Sequence, residues 1–191
     1  MKVTAFNGSP RANGNTAAAL RLILADLEAL GHSTQFVQVG GLPLRGCVSC
    51  GGCRRHRNNK CVIDGDDMNY LMAEMFSSDV IIFGSPTYFG SLTPEMKALI
   101  DRGGYVARAN GNPLKHKIGA SVAVARRAGA NMTFSEMNMF MLINEMVIPG
   151  ANYWNVSTAK DIGDFAKDEE GVKTMKNLAQ NIHWLGERII D

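Results

Sequence analysis

Long apolar runs are missing from this chain: no stretch approaches the roughly 20 apolar residues that a membrane-spanning helix needs. Charge of one sign is also scarce. Twenty Lys and Arg face eighteen Asp and Glu, for a formal net charge of +2. That imbalance is too small to argue for nucleic acid or a membrane surface as partner. The opening Met1-Lys2-Val3-Thr4-Ala5-Phe6 is too short in its apolar run for a signal peptide and leads straight into a Gly-rich turn, so a cytoplasmic protein is expected. Gly-x-Gly-x-x-Gly and the Walker lysine are both absent, which removes the dinucleotide and P-loop readings. His32, His56, His116 and His183 share no spacing and suggest no metal site. No Ser/His/Asp or paired-carboxylate arrangement stands out, and neither does a repeat, a low-complexity tract or a linker.

What is present is a core and a pattern. The 191 residues are 46% hydrophobic, enough to bury a real core and suited to one domain over 1–191. Strand and helix signals alternate. Lys2–Asn7 reads as a short buried strand, and Asn15 or Thr16 caps a helix whose apolar positions Leu20, Ile23, Leu24 and Leu27 recur at helical spacing before Gly31 closes it. Thr34–Val39 reads as a second strand. Asp67 caps a helix with Met68, Leu71, Met72, Met75 and Phe76 on one face. Val80-Ile81-Ile82-Phe83 is a continuous apolar run, typical of a strand buried on both sides. Thr93-Pro94-Glu95 opens a helix that is expected to end near Gly103, and Ile118–Ala125 reads as the fourth strand. Thr133-Phe134-Ser135-Glu136 fits a capping box at the head of a Met-rich helix, Asn155-Val156 a short last strand, and 171–189 the final helix. Such alternation implies a parallel sheet covered on both faces, with ligands at the carboxyl ends of its strands.

Three post-strand segments therefore carry the functional reading. Gly8-Ser9-Pro10-Arg11-Ala12-Asn13-Gly14-Asn15-Thr16 leads into a helix start, where unpaired N–H groups and the positive end of the helix dipole suit an anion. Ser9, Asn13, Asn15 and Thr16 add hydroxyl or amide donors, and Arg11 adds a charge. Gly84-Ser85-Pro86-Thr87-Tyr88-Phe89-Gly90-Ser91 offers a stiff turn, two aromatic rings and free backbone groups for the edge of a planar heterocycle. Arg126 and Arg127 follow the fourth strand, where a cation would favour a reduced, anionic ring. Two solvated surface arginines would look the same.

These segments, with Leu99-Ile100-Asp101-Arg102, resemble the flavodoxin-like NADPH-dependent FMN reductase superfamily. The resemblance implies a doubly wound five-stranded parallel α/β sheet of order 2-1-3-4-5, and FMN as cofactor. It implies Ser9, Arg11, Asn13, Asn15 and Thr16 on the phosphate, and Pro86, Thr87, Tyr88, Phe89 and Gly90 along the isoalloxazine ring, with Arg126 nearby. The flavin, not a protein group, would carry the chemistry.

All four cysteines fall within 15 positions, Cys47-x2-Cys50-x2-Cys53-x7-Cys61, inside the cysteine-rich loop 41–65. Thiols at three-residue intervals among Gly46, Gly51 and Gly52 can wrap one iron–sulfur cluster. Zinc fits less well because the two Cys-x2-Cys units overlap at Cys50, a redox Cys-x-x-Cys does not need four thiols, and reduced cysteines without metal stay open. The motif resembles that of the iron–sulfur flavoprotein family. This resemblance implies a [4Fe–4S] cluster on the four cysteines, fed by a reduced ferredoxin and passing electrons to FMN, in a homodimer or homotetramer. The basic run Arg54-Arg55-His56-Arg57-Asn58-Asn59-Lys60 could attract an acidic ferredoxin, and a plain solvated basic loop would look the same. Two alternatives remain: an NAD(P)H-dependent FMN or quinone reductase without a cluster, and a flavodoxin-like electron carrier, which the slightly basic charge disfavours.

Overall fold

A computed structural model describes residues 1–190. Five parallel strands, β1 (Lys2–Asn7), β2 (Ser33–Gln38), β3 (Val80–Pro86), β4 (Ile118–Ala125) and β5 (Val156–Thr158), form one sheet in the order β2-β1-β3-β4-β5. The flavodoxin-like order expected from the sequence is thus the one observed.

Alternation along the central strands sorts the core into two layers. Val80 and Ile82 of β3 point with Val3 and Ala5 toward helices α1 (Asn15–Ala29) and α6 (Glu169–Ile189), while Ile81 and Phe83 point with Phe6 the other way. That second face is covered by α3 (Met68–Ser77), α4 (Pro94–Ala109) and α5 (Ala130–Ile143). All of β4 is buried, and its one polar side chain, Ser121, donates to Asn138 Oδ1 at 2.8 Å.

Several boundaries differ from the sequence expectation. Helix α4 does not stop near Gly103 but runs two further turns to Ala109. Gly103 is there for packing: a Cβ on it would come within 2.8 Å of Met75 Cε on α3. The capping box at 133–136 does not form. Helix α5 already begins at Ala130 behind Gly129; Ser135 donates to the Asn131 carbonyl from inside the helix, and Glu136 reaches away to Ser91. Asp67 does not cap α3 with its side chain. Its neighbour Asp66 takes the Met68 N–H instead, because that carboxylate is anchored by a buried arginine described below. Neither Asn15 nor Thr16 caps α1; the N-cap is Gly14. Helix α6 starts two residues before Gly171, with Asp168 accepting from the Gly171 N–H at 2.9 Å, a cap contributing about 1 kcal/mol. Inside the cysteine loop a short helix, α2 (Gly52–His56), replaces expected irregular chain.

Candidate active site

The first cavity lies where β1, β3, β4 and β5 end. It holds about 160 Å³ and is lined by Ser9, Arg11, Gly14, Asn15, Thr16, Pro86, Thr87, Tyr88, Val124, Arg126, Ala159 and Lys160. The β1–α1 loop forms its floor. Ser9 Oγ accepts from the Arg11 N–H at 3.2 Å, and Asn7 braces the loop from both ends, accepting from the Ser9 N–H and donating to its carbonyl. Gln38 also donates to the Ser9 carbonyl, at 2.6 Å. Gly40 passes so close beneath that a Cβ there would overlap the Gly8–Ser9 backbone. Among the described residues no side chain caps α1, so its first-turn N–H groups open on the cavity with their dipole. An uncapped helix start, a buried serine and an arginine suit a phosphate monoester.

Asn15 has a different task from the one its sequence position suggests. Its amide donates to the Asp161 carbonyl at 2.8 Å, and its Oδ1 accepts from the N–H groups of Gly163 and Phe165. It fastens the segment after β5 onto α1 and brings Lys160 to the cavity rim. Asn13 stands outside the wall and accepts from Arg21 at 3.1 Å. Lys160 is the residue that sequence reading missed. It follows β5, a strand of three residues too short to announce the loop behind it in the sequence.

The second wall is the β3–α4 loop. Ser85 Oγ accepts from the Thr93 N–H and Thr93 Oγ1 donates to the Gly8 carbonyl at 2.8 Å, which locks this loop to the first. The Thr87 N–H bonds the Val124 carbonyl. Tyr88 and Ser91 then exchange backbone hydrogen bonds at 2.8 and 3.0 Å around a two-residue tip, Phe89 and Gly90, both with positive φ (51° and 82°). Glu136 holds the base of this turn through Ser91 Oγ at 2.8 Å and the Leu92 N–H. Pro86, Thr87 and Tyr88 reach the cavity wall, while Phe89 and Gly90 form the tip beyond it and the Phe89 ring is fully exposed. Arg126 lines the cavity, and Arg127 does not.

A second cavity, of about 180 Å³, gathers all four cysteines with Val48, Val62, Ile63, Arg102, Tyr105 and Val106 among its walls. It shares no lining residue with the first. Arg102, 1% exposed, donates Nε–H to Cys61 Sγ at 3.4 Å, Nη1–H to Asp66 Oδ2 at 2.5 Å and to the Arg45 carbonyl, and Nη2–H to the Ile63 carbonyl at 2.8 Å. Burial works against charge on Asp66, but bonds from Arg102, Arg45 and Met68 outweigh it and hold the carboxyl below its usual range. Burial likewise opposes charge on Arg102, and its bonds to Asp66 and Cys61 leave its pKa raised. The Ser49 N–H points at Cys47 Sγ from 3.4 Å. Two N–H groups aimed at sulfur in an apolar-walled pocket suit thiolates that hold an iron–sulfur cluster. No local signal in the sequence marks the pairing of Asp66 with a residue 36 positions away.

Comparison with known proteins identifies the family. Residues 1–161 match the model of the NADPH-dependent FMN reductase family. An iron–sulfur flavoprotein of Methanocaldococcus jannaschii is 33% identical over 189 residues, 95% of each chain. One from Methanosarcina thermophila is 32% identical over 85% of this chain and 87% of that one. In structure, a flavodoxin from the domain Archaea superposes with a TM-score of 0.64 at 14% identity, covering 98% of this chain and all of that one. With two thirds or more of the chain matched by the family model and by relatives above 30% identity, the protein belongs to the NADPH-dependent FMN reductase family, on its iron–sulfur flavoprotein branch, and is a flavin-dependent oxidoreductase.

Proposed function

We propose that the chain binds FMN in the first cavity and a [4Fe–4S] cluster on Cys47, Cys50, Cys53 and Cys61, and relays electrons from a reduced donor through the cluster to FMN and on to an acceptor. The observation that carries this reading is the convergence of all four thiols on one cavity into which Arg102 and Ser49 direct N–H groups.

When bound, FMN supplies the step between one- and two-electron chemistry. The chain's own residues position it. Ser9, Arg11, Thr16 and the α1 N-terminus hold the phosphate, with Lys160 at the rim. Pro86, Thr87, Tyr88, Phe89 and Gly90 run along the ring, and Asn13 and Asn15 support the loop from outside and from behind. Arg126 faces the ring with a positive charge that favours its reduced form. At the cluster, the bond from Arg102 to Cys61 stabilises the more negative, reduced state.

The donor is a reduced ferredoxin. Arg54, Arg57 and Lys60 are exposed beside the cysteine cavity and present a basic face to an acidic protein, whereas Arg55 is tied to the Cys50 carbonyl at 2.9 Å. The chain works as a homodimer or homotetramer, burying Met132, Met139, Leu142 and Ile143, which α5 leaves more than half exposed. It is a cytoplasmic protein of one domain; no helix among the described residues is long and apolar enough to cross a membrane.

The family's description favours a second reading, in which NAD(P)H reduces the flavin directly and no cluster is present. Anaerobic purification with metal and sulfide analysis separates the two. About four iron and four sulfide per chain support the cluster. A metal-free yellow protein reduced rapidly by NADPH and not by ferredoxin overturns it.

A further inference from the structure

The four histidines share no spacing in the sequence, yet the fold brings two of them together. Helix α1 ends in a Schellman turn: Gly31, at φ 88°, donates to the Glu28 carbonyl, and His32 donates its backbone N–H to the Leu27 carbonyl. This fixes the His32 backbone at the foot of β2 and turns its buried ring toward α6. There His183 and Glu187 stand four residues apart on one helix face. His32 Nε2 lies 2.9 Å from His183 Nδ1, and among the described residues His32, His183 and Glu187 form the one His/Cys/Asp/Glu set whose ligand atoms, one from each residue, lie mutually within 4.8 Å.

We propose that His32, His183 and Glu187 bind a divalent first-row transition-metal ion of the zinc or nickel class. None of the three lines the flavin or the cysteine cavity. Two imidazoles and a carboxylate are a donor set that such ions accept. Two nitrogens bound at about 2.1 Å to one ion stand about 3.0–3.4 Å apart, so the pair at 2.9 Å is nearly placed already. Glu187 is exposed and its side chain is free to close the remaining gap, leaving an open path for the ion and for water ligands. The ring that now donates in the His32–His183 hydrogen bond shifts its proton to its other nitrogen, so both facing nitrogens become ligands and no proton is released. The bound ion staples the last turn of α6 to the α1–β2 turn.

Calorimetric titration of the full-length protein with Ni(II) tests this. The cysteine thiols also take such ions, so each variant is compared with the otherwise unchanged chain and their contribution cancels. The unchanged chain is expected to bind one more equivalent than His183→Gln, and Glu187→Ala is expected to bind that equivalent at least about tenfold more weakly. At a hundredfold excess over Kd, Ni(II) should raise the melting temperature of the unchanged chain by roughly 5–10 °C more than that of His183→Gln. Equal stoichiometry and equal melting shifts in all three proteins would overturn the proposal.

Discussion

Arg102 donates Nε–H to Cys61 Sγ across 3.4 Å while its Nη1 bonds Asp66 Oδ2 at 2.5 Å, so an ion pair with side chains 0% and 2% exposed stands directly against one of the four thiols. Two predictions follow from the two partners of this guanidinium.

Asp66→Asn leaves the buried guanidinium uncompensated. Breaking one side of such a pair costs about 3–5 kcal/mol, to be measured by urea denaturation. The folded Asp66 carboxyl sits below its ordinary value of 3.8. Its stabilisation is therefore fully present above that pH and is lost as pH falls through the lowered folded value. Acid unfolding should be steep below about pH 4 in the unchanged chain and flatter in Asp66→Asn.

Arg102→Lys keeps the charge near Asp66 and removes the fork that also reaches Cys61. One hydrogen bond of about 0.5–1.5 kcal/mol to sulfur corresponds to about 20–65 mV over one electron. The potential of the proposed cluster, followed by a spectroscopic redox titration, should fall by that amount while the flavin potential holds. An unchanged cluster potential would remove Arg102 from the tuning role.

Arg11 and Asn15 separate binding from framework. Arg11 is exposed, so Arg11→Ala should weaken FMN by roughly 10–100-fold, the loss of one charge-assisted bond, with little change in melting temperature. Asn15→Ala should instead lower the melting temperature, because three bonds to the 161–165 segment disappear at once. Parallel flavin titrations and melting curves check both.

Phe89 holds a φ of 51° with its ring in solvent, which costs about 1 kcal/mol for a side chain of this kind. Phe89→Asn suits the turn better. Without flavin it should melt slightly higher than the unchanged chain, and it should bind FMN more weakly, because the proposed contact of the aromatic tip with the flavin ring is removed. A variant that improves both would show that the aromatic tip has no part in flavin binding.

Much of this was legible in the sequence because it is local. The buried run 80–83, the Gly8–Thr16 loop and the cysteine spacing each carry their signal within a few residues; the run forms β3, the loop joins β1 to α1, and the four cysteines line one cavity. What was missed depends on long-range contacts. Gly103 does not end α4 but lies inside it, with Met75 of another helix packed over the place a Cβ would take. Asn15 turns from cap to clamp because residues 161–165 arrive from the far end of the chain. His32 and His183, 151 positions apart, meet only after α1 packs on α6. Glu136 looked like half of a capping box and instead braces Ser91, because the β3–α4 turn comes within its reach.

The account depends most on a phosphate seat at the head of α1. Flavin fluorescence titration of the cofactor-free chain with FMN and, separately, with riboflavin tests it directly. FMN should be quenched with one equivalent bound, and riboflavin, which lacks the phosphate, should bind at least about a hundredfold more weakly, as the loss of two charge-assisted bonds requires. Equal affinity for the two flavins, or no quenching by either, would contradict it.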